Sequence, residues 1–348
     1  MRGARMGAAL VLCLLAWLAW RADPRALLAC YLAAWWFWTG TLMGGLANVW
    51  LHTLTGGAWG EPLRAPLLRA ARLVPPACLL FLPLLAGSGL LYPWAAPGAT
   101  VQWNGSFSAP QFKQWWLAQP FYGGRTLAYL ALWSLLSWLA RRPALQRSQA
   151  MAAAGLLAWG FSVGLAALDW IMSLQPEWYS SVFGWLAGAG QMLSGLALGL
   201  VLLDRGAERR VLPDLGNLLL MYVMTWAYLA YVQFLIIWAE NLPHEIAWYV
   251  RRGTPGWVAV AWMLVAFHFA APLLILLSRR ARHAPLALGA LAWGLLAAHL
   301  LDCWWLVVPG AGALSPHWLW MAPLTALALA LGGTWAAAAW PDRERVHA

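Results

Sequence analysis

The sequence predicts an all-α fold, a polytopic membrane protein with ten transmembrane helices. Three observations predict it. First, 63% of the 348 residues are hydrophobic and only 10% are charged, with a mean hydropathy of +0.64. A soluble domain carries about 25% charged residues, so this chain has too little polar surface to face water. Second, the apolar residues gather in ten runs, each near the ~20 residues a helix needs to cross the hydrocarbon core. Third, the chain has 29 tryptophans, and indole rings favour the bilayer interface. Helices are the open option because backbone groups in lipid must bond within their own segment.

The first run, 6–20, follows Arg2 and Arg5 and resembles a signal peptide. No small-residue cleavage site follows it, so it reads as a retained first helix. The second and third runs are 27–51 and 73–93. Between them, E-P-L-R-A-P-L-L-R-A-A-R (61–72) reads as a short interfacial helix. The remaining runs are 118–140, 149–173, 178–203, 215–239, 256–278, 284–308 and 318–340. Cys13, Cys30, Cys78 and Cys303 all lie in apolar runs without a C-x-x-C pair, which argues against a disulfide framework or a cysteine metal site.

Loop charge gives orientation. Arg2, Arg5, Arg64, Arg69, Arg72, Arg141, Arg142, Arg147, Arg205, Arg209, Arg210, Arg279, Arg280, Arg282, Arg343 and Arg345 fall on one side, sixteen of the 22 basic residues. Arg21, Arg25, Lys113, Arg125, Arg251 and Arg252 fall on the other. The positive-inside rule then places both termini in the cytoplasm of a cell whose inner membrane holds the chain. This topology accounts for the net charge of +10 without a nucleic-acid partner. The outer loops are 94–117, the turn around 175, 240–252 and 310–318; the inner loops carry no glycine-rich phosphate loop.

Acids and histidines in this setting are the candidate functional residues, because an ionisable group in a membrane span is expensive. Asp169 lies about one turn from the outer end of its run. It either pairs with Arg125 or meets interfacial water there, or it serves as a proton carrier or quinone-site acid. His299 and Asp302 share a helix face at i, i+3. They form a proton-relay pair or a polar pair joining two helices. Mid-span His268 reads first as a helix–helix hydrogen bond and second as a relay element. Gln191 and Gln233 read as interhelical contacts, and Asn48 and His52 as a solvated helix end. Glu240, His244 and Glu245 lack a metal-ligand spacing, and Pro243 argues for a turn. With Glu177 and Trp178 they are the candidate docking residues of the outer face. The histidines are too few and too scattered for paired two-haem ligation.

Two stretches carry a family resemblance. F-S-V-G-L-A-A-L-D-W-I-M-S-L-Q-P-E-W-Y-S-S-V-F-G (161–184) and D-L-G-N-L-L-L-M-Y-V-M-T-W-A-Y-L-A-Y-V-Q-F-L-I-I-W-A-E-N-L-P-H-E-I-A-W-Y-V-R-R (214–252) resemble ActF, the second quinone-binding-type, NrfD-like membrane subunit of alternative complex III. The resemblance implies two four-helix bundles, 27–173 and 178–308, in a single membrane domain. It implies a subunit of a quinol:cytochrome c or oxidase-linked oxidoreductase that acts as scaffold and as a proton-conducting or quinone-proximal element. It implies no redox centre held by the chain itself, and it leaves open whether menaquinone or ubiquinone binds to this subunit or only beside it. The implied partners are an ActC-like membrane subunit, iron–sulfur and multihaem cytochrome c subunits, and the lipid bilayer. Independently of the resemblance, the buried ionisable residues Asp169, His268, His299 and Asp302 are the candidates to line a proton route or a quinone pocket. A secondary transporter and a membrane assembly factor are the alternatives. No matched pair of Gly- or Pro-broken spans favours transport.

Overall fold

A computed structural model of the chain describes residues 2–96, 110–203, 209–312 and 315–339. The described residues are helical, with no strand among them. Among the described residues, eight helices are long and apolar enough to cross a membrane: Pro24–Thr55, Glu61–Ala86, Gln149–Leu174, Phe183–Leu202, Leu212–Glu240, Pro255–Leu277, Pro285–Ala311 and Trp318–Ala337. Helices Arg2–Ala22 and Gln119–Ala140 occupy the other two expected places but do not meet that measure. Arg205, Arg343, Arg345 and most of the 94–117 loop lie outside the described residues.

The chain opens with α1 (Arg2–Ala22) and α2 (Pro24–Thr55). Asp23 caps α2 by accepting the Ala26 N–H at 2.9 Å, and Pro24 sits where a missing N–H costs nothing. Asn48 and His52 do not form the solvated helix end that the sequence predicts. The helix runs on to Thr55, and α3 (Glu61–Ala70) folds back over it, so Asn48 and His52 are buried. Asn48 donates to Met192 O at 3.0 Å and accepts the Tyr222 hydroxyl at 2.8 Å. His52 lies between Arg64 Nη2 (3.2 Å) and Gly57 O (2.9 Å).

The 61–72 stretch is also not a separate surface helix. It passes through a 3-10 turn into α4 (Val74–Leu79), then α5 (Leu82–Ala86) and α6 (Ser88–Leu91). The prolines explain the breaks, since each removes an N–H from the ladder. Pro75 cannot donate to the carbonyl of Ala71, which instead accepts the Val74 N–H of the 3-10 turn and Ser137 Oγ, the latter at 2.6 Å. Trp35 Nε1 and Tyr31 Oη donate to Ala77 O and Leu80 O, both at 2.7 Å. Side chains thus supplement the backbone bonds of this broken segment.

The later elements are α7 (Pro110–Trp116), α8 (Gln119–Ala140), α9 (Gln149–Trp170), α10 (Phe183–Leu202), α11 (Leu212–Glu240), α12 (Pro243–Val250), α13 (Pro255–Leu264), α14 (Ala271–Leu277), α15 (Arg279–Arg282), α16 (Pro285–Val307) and α17 (Trp318–Ala339). Asn241 ends α11 in the left-handed region, φ 52°, a role asparagine fills at low steric cost. The most extensive helix–helix contact is α2 against α10. A Cβ on Gly44 would lie 1.7 Å from Gln191 O, and one on Gly195 would lie 2.1 Å from Gly45 N. The two backbones therefore touch, as small residues permit in membrane helices. α9, α16 and α17 pack on α2 around this crossing, and α9, α11 and α16 on α10.

Candidate functional site

Asp169 and Asp302 hold like positions. Each lies near the end of a long helix, seven residues before a proline, Pro176 or Pro309. Their surroundings differ.

Asp169 is fully buried. Its Oδ1 accepts from Trp116 Nε1 (2.7 Å) and Arg125 Nη2 (2.9 Å), and its Oδ2 from Arg125 Nε (2.9 Å) and Tyr129 Oη (3.0 Å). The Arg125 fork is bidentate, the geometry that suits a planar carboxylate. Its guanidinium also lies over the rings of Trp116 (3.9 Å) and Phe121 (4.4 Å). Trp170 beside the acid is packed by Trp35, Trp36, Phe81, Tyr129 and Trp133, with centroids 4.5 to 6.0 Å away. Of the readings open for Asp169, the structure favours the pair with Arg125. Four donors occupy its oxygens, and aromatic rings fill the space behind it.

Asp302 has a thinner shell. Trp226 Nε1 donates to Oδ2 at 3.2 Å, and His299 Nδ1 lies 3.5 Å from the same oxygen. The His268 ring stacks on His299 at 5.7 Å and 14° and meets Trp226 edge-on at 4.0 Å. Cys303 Sγ is 3.9 Å from His299 Nε2. Neither ring nitrogen of His268, nor His299 Nδ1, has a protein hydrogen-bond partner.

Local backbone builds this cluster. His268 sits in a π-turn, Val265–Ala270, between α13 and α14, and such turns inside helices often mark functional sites. Gly190 on α10 makes room for His299, since a Cβ there would come within 2.5 Å of Cε1. Phe37 of α2 closes another side at 5.9 Å. One turn outward of Asp302, buried Arg252 bonds Trp305 O (3.0 Å), Leu306 O (2.7 Å), Trp248 O (2.8 Å) and Gln175 Oε1 (3.2 Å). Burial pulls the Arg252 pKa well below its ordinary value; its four acceptors favour the charged form. This roof joins the turn at 175, α12 and the end of α16. The cluster brings two imidazoles and one carboxylate, residue types able to carry protons, together in the protein interior. Among the described residues, no three His, Cys, Asp or Glu side chains are placed to hold a metal ion.

No protein-family model matches the chain, and no curated protein matches it. The chemistry of the cluster has to be argued from its own geometry.

His268 does not make the interhelical hydrogen bond expected of it; it packs by ring contact instead. Gln191 does bridge helices, accepting from Trp159 Nε1 at 3.3 Å. Gln233 accepts from Ser180 Oγ at 3.1 Å. Trp178 and Glu245 are not surface docking residues, because both are buried. Trp178 stacks on Trp248 at 4.9 Å and 19°. Glu245 turns inward on α12, where the sequence predicts a turn, because Pro243 starts a helix there. His244 Nε2 lies 4.0 Å from its Oε1. Glu177 and Glu240 are exposed. Trp226, Gly190 and Arg252 escape sequence reasoning; for Arg252 the one available signal is an arginine outside the basic inner loops.

Proposed function

We propose that the chain is the scaffold and proton-handling membrane subunit of a quinol-oxidising respiratory complex, of the NrfD-like type found in alternative complex III. In this reading it spans the inner membrane ten times, with both termini in the cytoplasm. Spans two to five and six to nine form its two four-helix bundles. Electrons pass through iron–sulfur and multihaem partners, and an ActC-like subunit lies beside it. The observation that carries the reading is the buried His268–His299–Asp302 cluster. It lies in the outer half of the second bundle, while the matching acid of the first bundle is locked by Arg125. A menaquinol or ubiquinol oxidised at the outer side releases protons near that depth, and the cluster offers three groups to receive them. The strings D-W-I-M-S-L-Q-P-E-W and Q-F-L-I-I-W-A-E-N-L-P supply the link to a respiratory complex.

Tagging the chain, solubilising it gently and identifying what is purified with it tests this. Iron–sulfur and multihaem polypeptides with quinol:acceptor activity are expected; a lone protein that moves solute in vesicles would favour a secondary transporter instead. Within such a complex, Asp302→Asn is expected to lower proton release per quinol while leaving the subunits together. An unchanged stoichiometry in that variant removes the proton role.

A further inference from the structure

The end of α2 far from the His268 cluster holds another buried imidazole. His52 lies about 22 Å along the helix from Phe37 and is covered by the start of α3. Its two neighbours fix which nitrogen carries its proton. Nε2 is 2.9 Å from Gly57 O, and a carbonyl only accepts, so Nε2 is the donor. Nδ1 is 3.2 Å from Arg64 Nη2, and a guanidinium only donates, so Nδ1 is bare. Both contacts together require a neutral ring.

Arg64 pins three segments at this point. Besides His52, its Nη2 donates to Thr53 Oγ1 (3.0 Å) and its Nη1 to Gln146 O (2.8 Å). The tip of α2, the start of α3 and the turn between α8 and α9 therefore meet on one buried guanidinium. Gly60 permits the approach, because a Cβ there would lie 2.2 Å from His52 Cγ. Trp59 meets the imidazole edge-on at 5.0 Å and 78°. The charged groups around the ring are Arg64 and Glu61 of α3 and Arg147 of the α8–α9 turn. Glu61 is already engaged, since each of its oxygens lies 3.1 Å from an Arg147 nitrogen.

A proton on Nδ1 would aim N–H at N–H and place two cations side by side under cover from water, where like charges repel most strongly. Histidine is the side chain whose charge ordinarily changes between about pH 5 and 8. We propose that His52 and Arg64 form an acid-released latch at this end of α2. The latch is closed while His52 is neutral. It opens as the pH falls and His52 takes a proton, and it then frees the 56–60 loop and the first turn of α3 from the helix tip. Leu63 and Leu67, which pack over Gly199 of α10, keep the rest of α3 seated, so the release is local.

Hydrogen exchange of the full chain in lipid nanodiscs, read by peptide mass and corrected for the intrinsic effect of pH, tests it. Peptides covering 56–64 are expected to exchange about tenfold faster at about pH 5.5 than at about pH 8, with α10 peptides equal at both. His52→Gln keeps a donor and an acceptor but does not titrate, and is expected to stay slow at both values. Arg64→Gln removes the cation that a protonated His52 would face; faster exchange at both values, with no step between them, is expected. Melting temperature at the higher pH reports whether each variant is folded, and the wild-type comparison needs no variant. Equal corrected exchange of the wild-type segment at the two values, or a step that survives in His52→Gln or in Arg64→Gln, would overturn the latch.

Discussion

Gly44→Ala is expected to break the packing of the membrane body. The added Cβ would lie 1.7 Å from the carbonyl oxygen of Gln191, a backbone atom that cannot rotate away. Alanine gains about 1 kcal/mol over glycine in a helix. Against that gain, α2 and α10 would have to part by about 2 Å to restore normal carbon–oxygen contact. That separation loosens the most extensive interhelical contact among the described residues and the seating of Gln191 and Asn48 beside it. Overpacking a tight site costs about 1–3 kcal/mol and occasionally more, and a backbone clash belongs at the upper end. Gly160 is the control, because nothing lies within 4 Å of a Cβ built there. Thermal unfolding in detergent should show a large loss of stability for Gly44→Ala and none for Gly160→Ala. Equal behaviour of the two would mean the helices do not cross in contact.

Arg125→Ala is the second large effect. It strips Asp169 of two of its four donors and leaves a carboxylate in a fully buried site. Removing one partner of a buried ion pair costs about 3–5 kcal/mol, because the other charge stays buried and uncompensated. The double replacement Arg125→Leu with Asp169→Leu removes both charges and is expected to recover most of that loss. Unfolding in mixed micelles measures the cycle, and the coupling between the two sites is the quantity of interest. A double variant as unstable as Arg125→Ala would show that shape, rather than charge, holds this corner together.

The helices were legible because lipid leaves so few alternatives. Runs such as 149–173 and 318–340 coincide almost residue for residue with Gln149–Leu174 and Trp318–Ala337. Where prolines cluster, period and length mislead. The 61–93 region is one broken path whose carbonyls also accept from Ser137, Trp35 and Tyr31, and nothing local announces those partners. The acids were legible as costs, and Arg125 could be named as a partner for Asp169 from its place on the same side of the membrane. Whether a polar residue is sealed or open depends on neighbours distant in sequence. Trp116 and Tyr129 close Asp169, while Gly190 and the π-turn leave His268 and His299 their unpaired nitrogens. Trp178 and Glu245 look like surface residues in a loop; they are buried because α12 folds inward where a turn was expected.

In the proposed function the two acids differ: Asp169 is held by Arg125, Trp116 and Tyr129, and Asp302 is the one that exchanges a proton. A hydrophobic carbodiimide, which reacts with protonated carboxyls in apolar surroundings, measures the difference directly when membranes are labelled and the chain is mapped by peptide mass. The account predicts modification at Asp302, lost in Asp302→Asn, and none at Asp169, whose oxygens are taken up by Arg125, Trp116 and Tyr129. Modification of Asp169 with Asp302 untouched would contradict it.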